Sequence, residues 1–290
     1  MKRIGVLGLG AIGSVISRIL VAHPENDIFY YTRTPKSKIK IQYQDEKIEI
    51  PIDSKKERSE ELDWLIICLK EYHFEAAKEQ LAQLIGVHTK VVVIRNGIEL
   101  KASITPFTRD ENILECMIDC PTQPIEDNYY LQFSKPTLKV QKSELAKRFR
   151  ALFTKNDVQI IEVLDYKTEN WKKLIESSTL GSILCLTGRT CSVFENQEVV
   201  DLFKNLLREG IEVAKSDGAI IESSFEPEIL HKIATYSKTK GSSMLSDRLI
   251  GNIIEVNAKN GAIEKIALQN RIATPINDTI CKLLRQINQN

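Results

Sequence analysis

Over the first 165 residues the apolar positions gather into short continuous runs separated by mixed stretches. Runs at 2–7, 28–31, 65–69 and 91–94 read as buried strands. Between them, residues 14–22 carry Val15, Ile16, Ile19, Leu20 and Val21 at helical spacing, and 76–84 repeats that spacing. Apolar strands alternating with helices predict a parallel sheet covered on both faces. Residues 113–118, 129–133 and 137–140 predict further, less regular strands, 144–153 a helix, and 160–163 a strand closing this half. From Lys167 the pattern changes: 170–186, 198–216, 227–235 and 261–269 have helical spacing, and Pro275 is placed to open a last helix through Leu284. No strand run of comparable strength follows Lys167. The pattern predicts an α/β protein, with a doubly wound sheet domain at 1–165 and an all-helical domain at 166–290. Ligand is expected in the cleft between the helices and the carboxyl ends of the strands.

The first strand runs directly into Gly8-Leu9-Gly10-Ala11-Ile12-Gly13-Ser14, a G-x-G-x-x-G between a strand and a helix. In that context the spacing marks a Rossmann dinucleotide site: Gly8 for the tight turn, Gly10 for approach of a pyrophosphate, Gly13 for close helix packing, and the helix N-terminus facing the phosphates. Gly8, Leu9, Gly10, Ala11, Ile12 and Gly13 are therefore candidate cofactor contacts. NAD sites carry an acid at the end of the second strand, but here that strand ends Thr32-Arg33-Thr34, and Asp27 lies at its opposite end. Arg33 suits a 2′-phosphate and favours NADP(H), with loop solvation as the competing reading. An S-adenosylmethionine site fits less well, since the glycines and Arg33 suit a diphosphate and a 2′-phosphate.

Composition narrows the partners. A formal charge of +1 over 290 residues offers no basic field for nucleic acid or an anionic membrane surface. No apolar run reaches membrane-spanning length, and a secretory leader is not expected, because Arg18 and the glycines interrupt the first apolar stretch and no small-x-small site follows at His23-Pro24. The six cysteines are scattered, without paired C-x-x-C spacing. They read as reduced thiols of a cytoplasmic protein; Cys116, Asp119 and Cys120 form the one cluster, and no metal is expected there without nearby histidines. Surface composition leaves oligomeric state open, with a homodimer among the options.

Chemistry is expected at strand ends and on one helix. Lys70 and Asn96 follow the third and fourth apolar runs, on the edge where such sheets bind ligand, although either is also an ordinary turn residue and Asn96-Gly97 a favoured turn pair. Trp171-Lys172-Lys173-Leu174 opens a helix on which Ser177 and Gly181 lie four and eight residues beyond Lys173, a small-residue stripe that leaves room beside the ammonium. Lys172 lies about 100° around the helix, so only one of the two lysines faces a ligand. An ammonium there polarises a carbonyl and donates a proton as hydride arrives. Ser243 lies in a hydroxyl-rich segment twelve residues before Glu255, and a helix cap at Ser242 or Ser243 competes with a substrate role.

Taken together, G-L-G-A-I-G-S, Arg33, Lys70, Asn96-Gly97, W-K-K-L, S-S-M-L-S-D, E-V-N-A-K-N-G and T-P-I-N resemble the ketopantoate reductase (2-dehydropantoate 2-reductase) family, in order and spacing along nearly the whole chain. The resemblance implies NADPH-dependent reduction of 2-dehydropantoate to pantoate in the pathway to pantothenate and coenzyme A. It implies Lys173 as the catalytic lysine, Glu255 as its acidic partner, Ser243 as a substrate-carboxylate contact, Asn96 as a positioning group, and Arg33 and Lys70 as contacts to NADP. Where the family typically has two substrate-binding asparagines, this chain has Ser177 and Gly181, and Asn257 stands where an aspartate is usual. Ser177 thus remains a candidate substrate contact, another small 2-oxo acid an alternative substrate, and a non-catalytic NADP sensor an alternative of a different class.

Overall fold

The computed structural model describes residues 1–53, 61–154 and 156–288. It has two compact units, one of Met1–Arg95 with Glu99–Tyr166 and one of Asn96–Ile98 with Lys167–Asn290. The N-terminal sheet domain and the helical C-terminal region that the pattern predicts are both present.

The first unit contains β1 (Lys2–Leu7), α1 (Ala11–Val21), β2 (Asn26–Tyr31), β3 (Lys38–Tyr43), β4 (Glu46–Pro51), β5 (Trp64–Ile67), α2 (Lys78–Leu84), β6 (Lys90–Ile94), β7 (Ile113–Asp119), β8 (Thr122–Glu126), β9 (Tyr129–Gln132), β10 (Thr137–Gln141), α3 (Glu144–Arg150) and β11 (Gln159–Val163). Its larger sheet has the order β11-β10-β7-β6-β5-β1-β2. From β2 through β7 every pairing is parallel, so the carboxyl ends of β1, β2, β5 and β6 share one edge. The chain passes from β1 out to β2 and then returns to build β5, β6 and β7 on the other side. The order therefore reverses beside β1, where a crevice for ligand opens in such sheets. Cys68 N–H donates to Leu7 O at 2.9 Å and Gly8 N–H to Tyr31 O at 3.0 Å, which fixes the end of β1 between both neighbours.

Successive side chains of these strands point to opposite faces, and both faces are buried. Ile4 and Val6 pack with Ile16, Ile19 and Leu20 of α1 and Phe149 of α3. Leu65, Ile67, Val91 and Val93 pack with Leu81 and Leu84 of α2. That helix is shorter than expected: residues 71–77 form two 3-10 turns before it.

Two expectations need correction. The sheet is not wholly parallel, because β10 runs antiparallel to β7, with β11 parallel to β10. Residues 129–133 do not join it; β9 belongs to a second sheet of order β4-β3-β9-β8. Its hairpin β3–β4 turns tightly through Gln44 at φ +54° and was not expected at all. Ile39, Ile41, Ile48 and Ile50 of that hairpin face the α1 core while Lys38, Lys40 and Glu49 face solvent. A sheet wet on one face writes alternation into the sequence rather than a continuous apolar run. Arg18 joins α1 to this layer: it is buried, its Nε donates to Gln132 Oε1 at 3.2 Å, and its guanidinium lies 5.0 Å from the centre of the Tyr43 ring.

In the second unit α4 (Tyr166–Thr187), α5 (Gln197–Ser216), α6 (Phe225–Thr235), α7 (Ser243–Leu249), α8 (Asn260–Asn270) and α9 (Pro275–Ile287) supply the secondary structure, with a 3-10 turn before α5. Buried Trp171, Ile175, Leu184, Phe203, Leu207 and Ile263 form the centre of their core. A Cβ at Gly210 would lie 3.2 Å from Ile175, so α5 approaches α4 closely at that point. Polar anchors fix the rest. Trp171 Nε1 donates to Asp217 at 2.8 Å, and the Glu209 carboxylate accepts the first-turn amides of Ile276 and Asn277, capping α9 at the proline that starts it.

The second sheet is part of the hydrophobic core of the first unit. Ile41→Ala is expected to cost about 2–4 kcal/mol, read as a lower urea midpoint; a loss below about 0.5 kcal/mol would place this layer outside the core.

Candidate functional site

In the first unit the three glycines of the β1–α1 turn meet three different constraints. Gly8 has φ +93°, and a Cβ there would come within 2.9 Å of Leu69 and 3.1 Å of the Cys68 carbonyl. A Cβ at Gly13 would lie 1.9 Å from Gly8 O, so only glycine lets α1 begin this close to β1. Gly10 is exposed, and nothing lies within 4 Å of where its Cβ would be. The space beside Gly10 is what backbone contact to a diphosphate requires. α1 begins immediately after Gly10 with no side-chain cap and no acid in its first turn, an arrangement compatible with an anion at its N-terminus.

Cations follow the two strands that flank β1, Arg33 and Lys36 after β2 and Lys70 after β5. Arg33 is exposed just past the end of β2, where Thr32 Oγ1 donates to Thr34 O at 2.8 Å. Lys70 follows β5, its ammonium 5.9 Å from the centre of the Tyr72 ring. Lys36 was not anticipated. Its half-buried ammonium donates to the Leu9 carbonyl at 3.4 Å and to Asn128 Oδ1, and Tyr130 Oη donates to the same Leu9 carbonyl at 3.3 Å. Burial lowers the Lys36 pKa, and Asp127 opposes that shift. Tyr130 of β9 and Lys36, two residues before β3, thus both bond the glycine turn at Leu9. The signal in the sequence was a lysine three residues beyond Arg33, but only the fold brings it to Leu9.

In the second unit Asn96 Nδ2 donates to Glu255 Oε2 at 3.2 Å. Glu255 is only 6% exposed. The turn reading of Asn96-Gly97 holds as well, with Gly97 at φ +110°, so one dipeptide both turns the chain and presents the amide. The segment is tied to α4 by Asn170, whose buried amide donates to Gly97 O at 3.1 Å. Residues three apart on a helix are neighbours on one face. Lys173 therefore shares the stripe of Asn170, on the side of α4 that meets Asn96-Gly97, and it is half-buried. Lys172 is turned away and pairs with Glu222 at 2.6 Å. Asn170 was missed in the sequence because a helix asparagine carries no local sign of its partner.

Ser242, not Ser243, caps α7, its Oγ accepting from Leu245 N at 3.1 Å; Ser243 is exposed. Ser177 is half-buried and donates to Leu174 O at 3.3 Å. The stripe does not stay open as far as Gly181, which corrects the expectation of free space there. Met244 fills it, its sulfur 2.8 Å from where a Cβ at 181 would sit and its side chain within an apolar cluster with Cys185, Ile254 and Val256. Lys259, also missed, is a buried lysine four residues beyond Glu255. Among the described residues no group of three or more His, Cys, Asp or Glu side chains is arranged to hold a metal ion.

Comparison with known proteins gives a consistent result. The ketopantoate reductase PanE/ApbA family matches residues 4–144, and the ketopantoate reductase PanE/ApbA C-terminal family matches 165–288. The chain is 25% identical over 286 residues to the 2-dehydropantoate 2-reductase of Caulobacter vibrioides, with 98% of each chain covered. It is 25% identical over 285 residues to that of Mycobacterium tuberculosis, covering 97% of this chain and 96% of the relative. Among solved structures it resembles the dimeric ketopantoate reductase of Staphylococcus aureus with a TM-score of 0.89 at 23% identity, 99% of both chains aligned. It also resembles D-mandelate dehydrogenase, solved with NADH and anilino(oxo)acetate, with a TM-score of 0.88 at 18% identity and 99% of both chains. The structural likenesses establish the fold.

Met244 and Gly181 form a size-matched pair. Gly181→Asn alone is expected to destabilise the protein by about 1–3 kcal/mol through overpacking. Adding Met244→Ala should recover part of that loss, a coupling measured by urea denaturation of the four-member cycle; strictly additive effects would show that the two positions do not share space.

Proposed function

The chain belongs to the ketopantoate reductase family and is an oxidoreductase, and from that premise we propose that it reduces 2-dehydropantoate to pantoate at the expense of NADPH. The observation that carries the reading is the arrangement in the second unit, where the Asn170–Gly97 bond brings the Asn96–Glu255 pair to the face of α4 that bears Lys173. In this reading the Lys173 ammonium polarises the keto oxygen and donates the proton to the alkoxide as it forms. Glu255 orients the ammonium or the nascent hydroxyl, and Asn96, Ser177 and Ser243 hold the substrate, Ser243 through its carboxylate. Residues 166–290 make up the substrate and catalytic domain.

The cofactor belongs to the domain at 1–165. Open Gly10, the uncapped start of α1 and the cations Arg33, Lys36 and Lys70 fit a phosphorylated dinucleotide, with Gly8, Leu9, Ala11, Ile12 and Gly13 forming its cradle and Asn96 a further contact. When bound, the nicotinamide supplies the hydride. Arg33 supports NADPH over NADH through a charge-assisted contact to the 2′-phosphate. The reading includes a cytoplasmic enzyme with reduced thiols; among the described residues no cysteine is joined in a disulfide, and no helix is long and apolar enough to cross a membrane. It also includes a homodimer, the assembly named for the Staphylococcus aureus relative.

A second reading keeps the chemistry and changes the acid. Met244 over Gly181 puts apolar surface where the family resemblance implies an asparagine amide, which favours a 2-oxo acid lacking a hydroxyl to pair.

NADPH oxidation over a panel of 2-oxo acids tests both, with 2-dehydropantoate expected to give the highest kcat/KM; a hydroxyl-free oxo acid in first place would install the second reading. NADPH binding with no oxidation across the panel would leave a nucleotide sensor. Lys173→Ala should lower kcat by about 10²–10⁴-fold, and unchanged turnover would remove Lys173 from proton transfer. In a fluorescence titration, Arg33→Ala should weaken NADPH binding by about tenfold or more and leave NADH unaffected; equal losses for both nucleotides would count against 2′-phosphate recognition.

A further inference from the structure

Leu9 stands between Gly8 and Gly10, and its carbonyl oxygen accepts two side-chain hydrogen bonds from outside the glycine turn. Lys36 Nζ donates to it at 3.4 Å and Tyr130 Oη at 3.3 Å, one donor for each lone pair. Both donors are themselves held in place. Tyr130 of β9 is 9% exposed, and burial raises its pKa, so the hydroxyl keeps the proton it donates. Lys36 also donates to Asn128 Oδ1 in the β8–β9 turn, where Asn128 has φ +60° and its carbonyl accepts Lys40 N–H of β3 at 2.8 Å. Two side chains far apart in the sequence thus meet at one backbone atom.

That atom sets the direction of an amide. In a planar trans peptide the carbonyl and the N–H point to opposite sides, so holding Leu9 O toward Lys36 and Tyr130 holds Gly10 N–H the other way. Sterics do not impose this by themselves. Glycine accepts φ of either sign, and nothing lies within 4 Å of where a Cβ of Gly10 would be, so the Leu9–Gly10 peptide meets little resistance to turning over. Turned over, it would direct a carbonyl oxygen, in place of an amide, at the diphosphate.

We propose that Lys36 and Tyr130 are positioning residues for the cofactor: they hold the Leu9–Gly10 peptide in the orientation that offers Gly10 N–H to the diphosphate, and Lys36 acts through the turn rather than by touching phosphate. The inference rests on the assignment of this turn to the dinucleotide. Through Tyr130 and Asn128 the second sheet becomes a determinant of nucleotide affinity. Its contribution is common to NADPH and NADH, because both carry the diphosphate, and is separate from the preference assigned to Arg33.

The test is nucleotide binding by fluorescence titration in Lys36→Met, Lys36→Arg and Tyr130→Phe. Lys36→Met and Tyr130→Phe should each weaken NADPH and NADH by the same factor, about three- to tenfold, at low and high ionic strength alike. Lys36→Arg keeps a cationic donor and should recover most of the affinity. A Lys36→Met loss that vanishes at high salt, with Tyr130→Phe unchanged, would identify a direct ion pair with phosphate and overturn the proposal. Unchanged affinity in the folded Lys36→Met and Tyr130→Phe proteins would overturn it as well, leaving the two bonds as packing of the second sheet. If Lys36→Met does not fold, Tyr130→Phe, which removes a single hydroxyl, decides. In the nucleotide-free protein the carbon-13 resonance of the Leu9 carbonyl should move upfield in both variants as a donor is lost, and an unmoved resonance also overturns the proposal. A wild-type chain that bound neither nucleotide would refute the cofactor reading, while the Leu9 resonance would still return a separate result for the two donors.

Discussion

The first unit depends on one approach distance. α1 can begin where it does only because Gly13 carries a hydrogen where any other residue would drive a carbon to 1.9 Å from the Gly8 carbonyl. That approach sets the helix N-terminus at the end of the strand beside which the sheet order reverses, and leaves Gly10 open beside it. The dipole, the uncapped amides and the cations after β2 and β5 are compatible with an anion because the helix starts there. The second sheet extends the same arrangement, since Lys36 and Tyr130 both bond the Leu9 carbonyl and make the glycine turn part of a packed layer.

The second unit places its polar groups by a different means. It buries the Glu255 carboxylate, whose desolvation is offset by a fixed hydrogen-bond donor. Glu255 is held by Asn96, which is tied to α4 through Gly97 and Asn170, and Lys259 lies on the loop that Glu255 begins. Removing any member leaves a buried polar group without its partner, which is more damaging than the bond alone would suggest. Met244 performs the apolar counterpart, closing the stripe at Gly181 so that polarity ends near Ser177.

Legibility in the sequence followed from how far each interaction reaches along the chain. Fully buried parallel strands, the G-x-G-x-x-G and the long helices of the second half are written in local runs and spacings, because each must satisfy its own backbone and bury its own face. The β3–β4 hairpin was equally local, with isoleucines at 39, 41, 48 and 50, but a half-exposed strand writes its pattern as alternation and is easily passed over beside continuous runs.

By itself the sequence determined the α/β and helical halves, the glycine turn between the first strand and helix, the cation after the second strand, and the residues from which a reductase site would be drawn. Tertiary structure decided which of these meet: Asn96 with Glu255, Asn170 with Gly97, Lys36 with Leu9, Met244 with Gly181. It also decided that Lys172 turns to Glu222 and that Lys259 is buried. The reason is physical. Local propensity and burial act over a few residues, whereas a hydrogen bond between positions 73 or 159 residues apart exists only once packing has brought the two segments together.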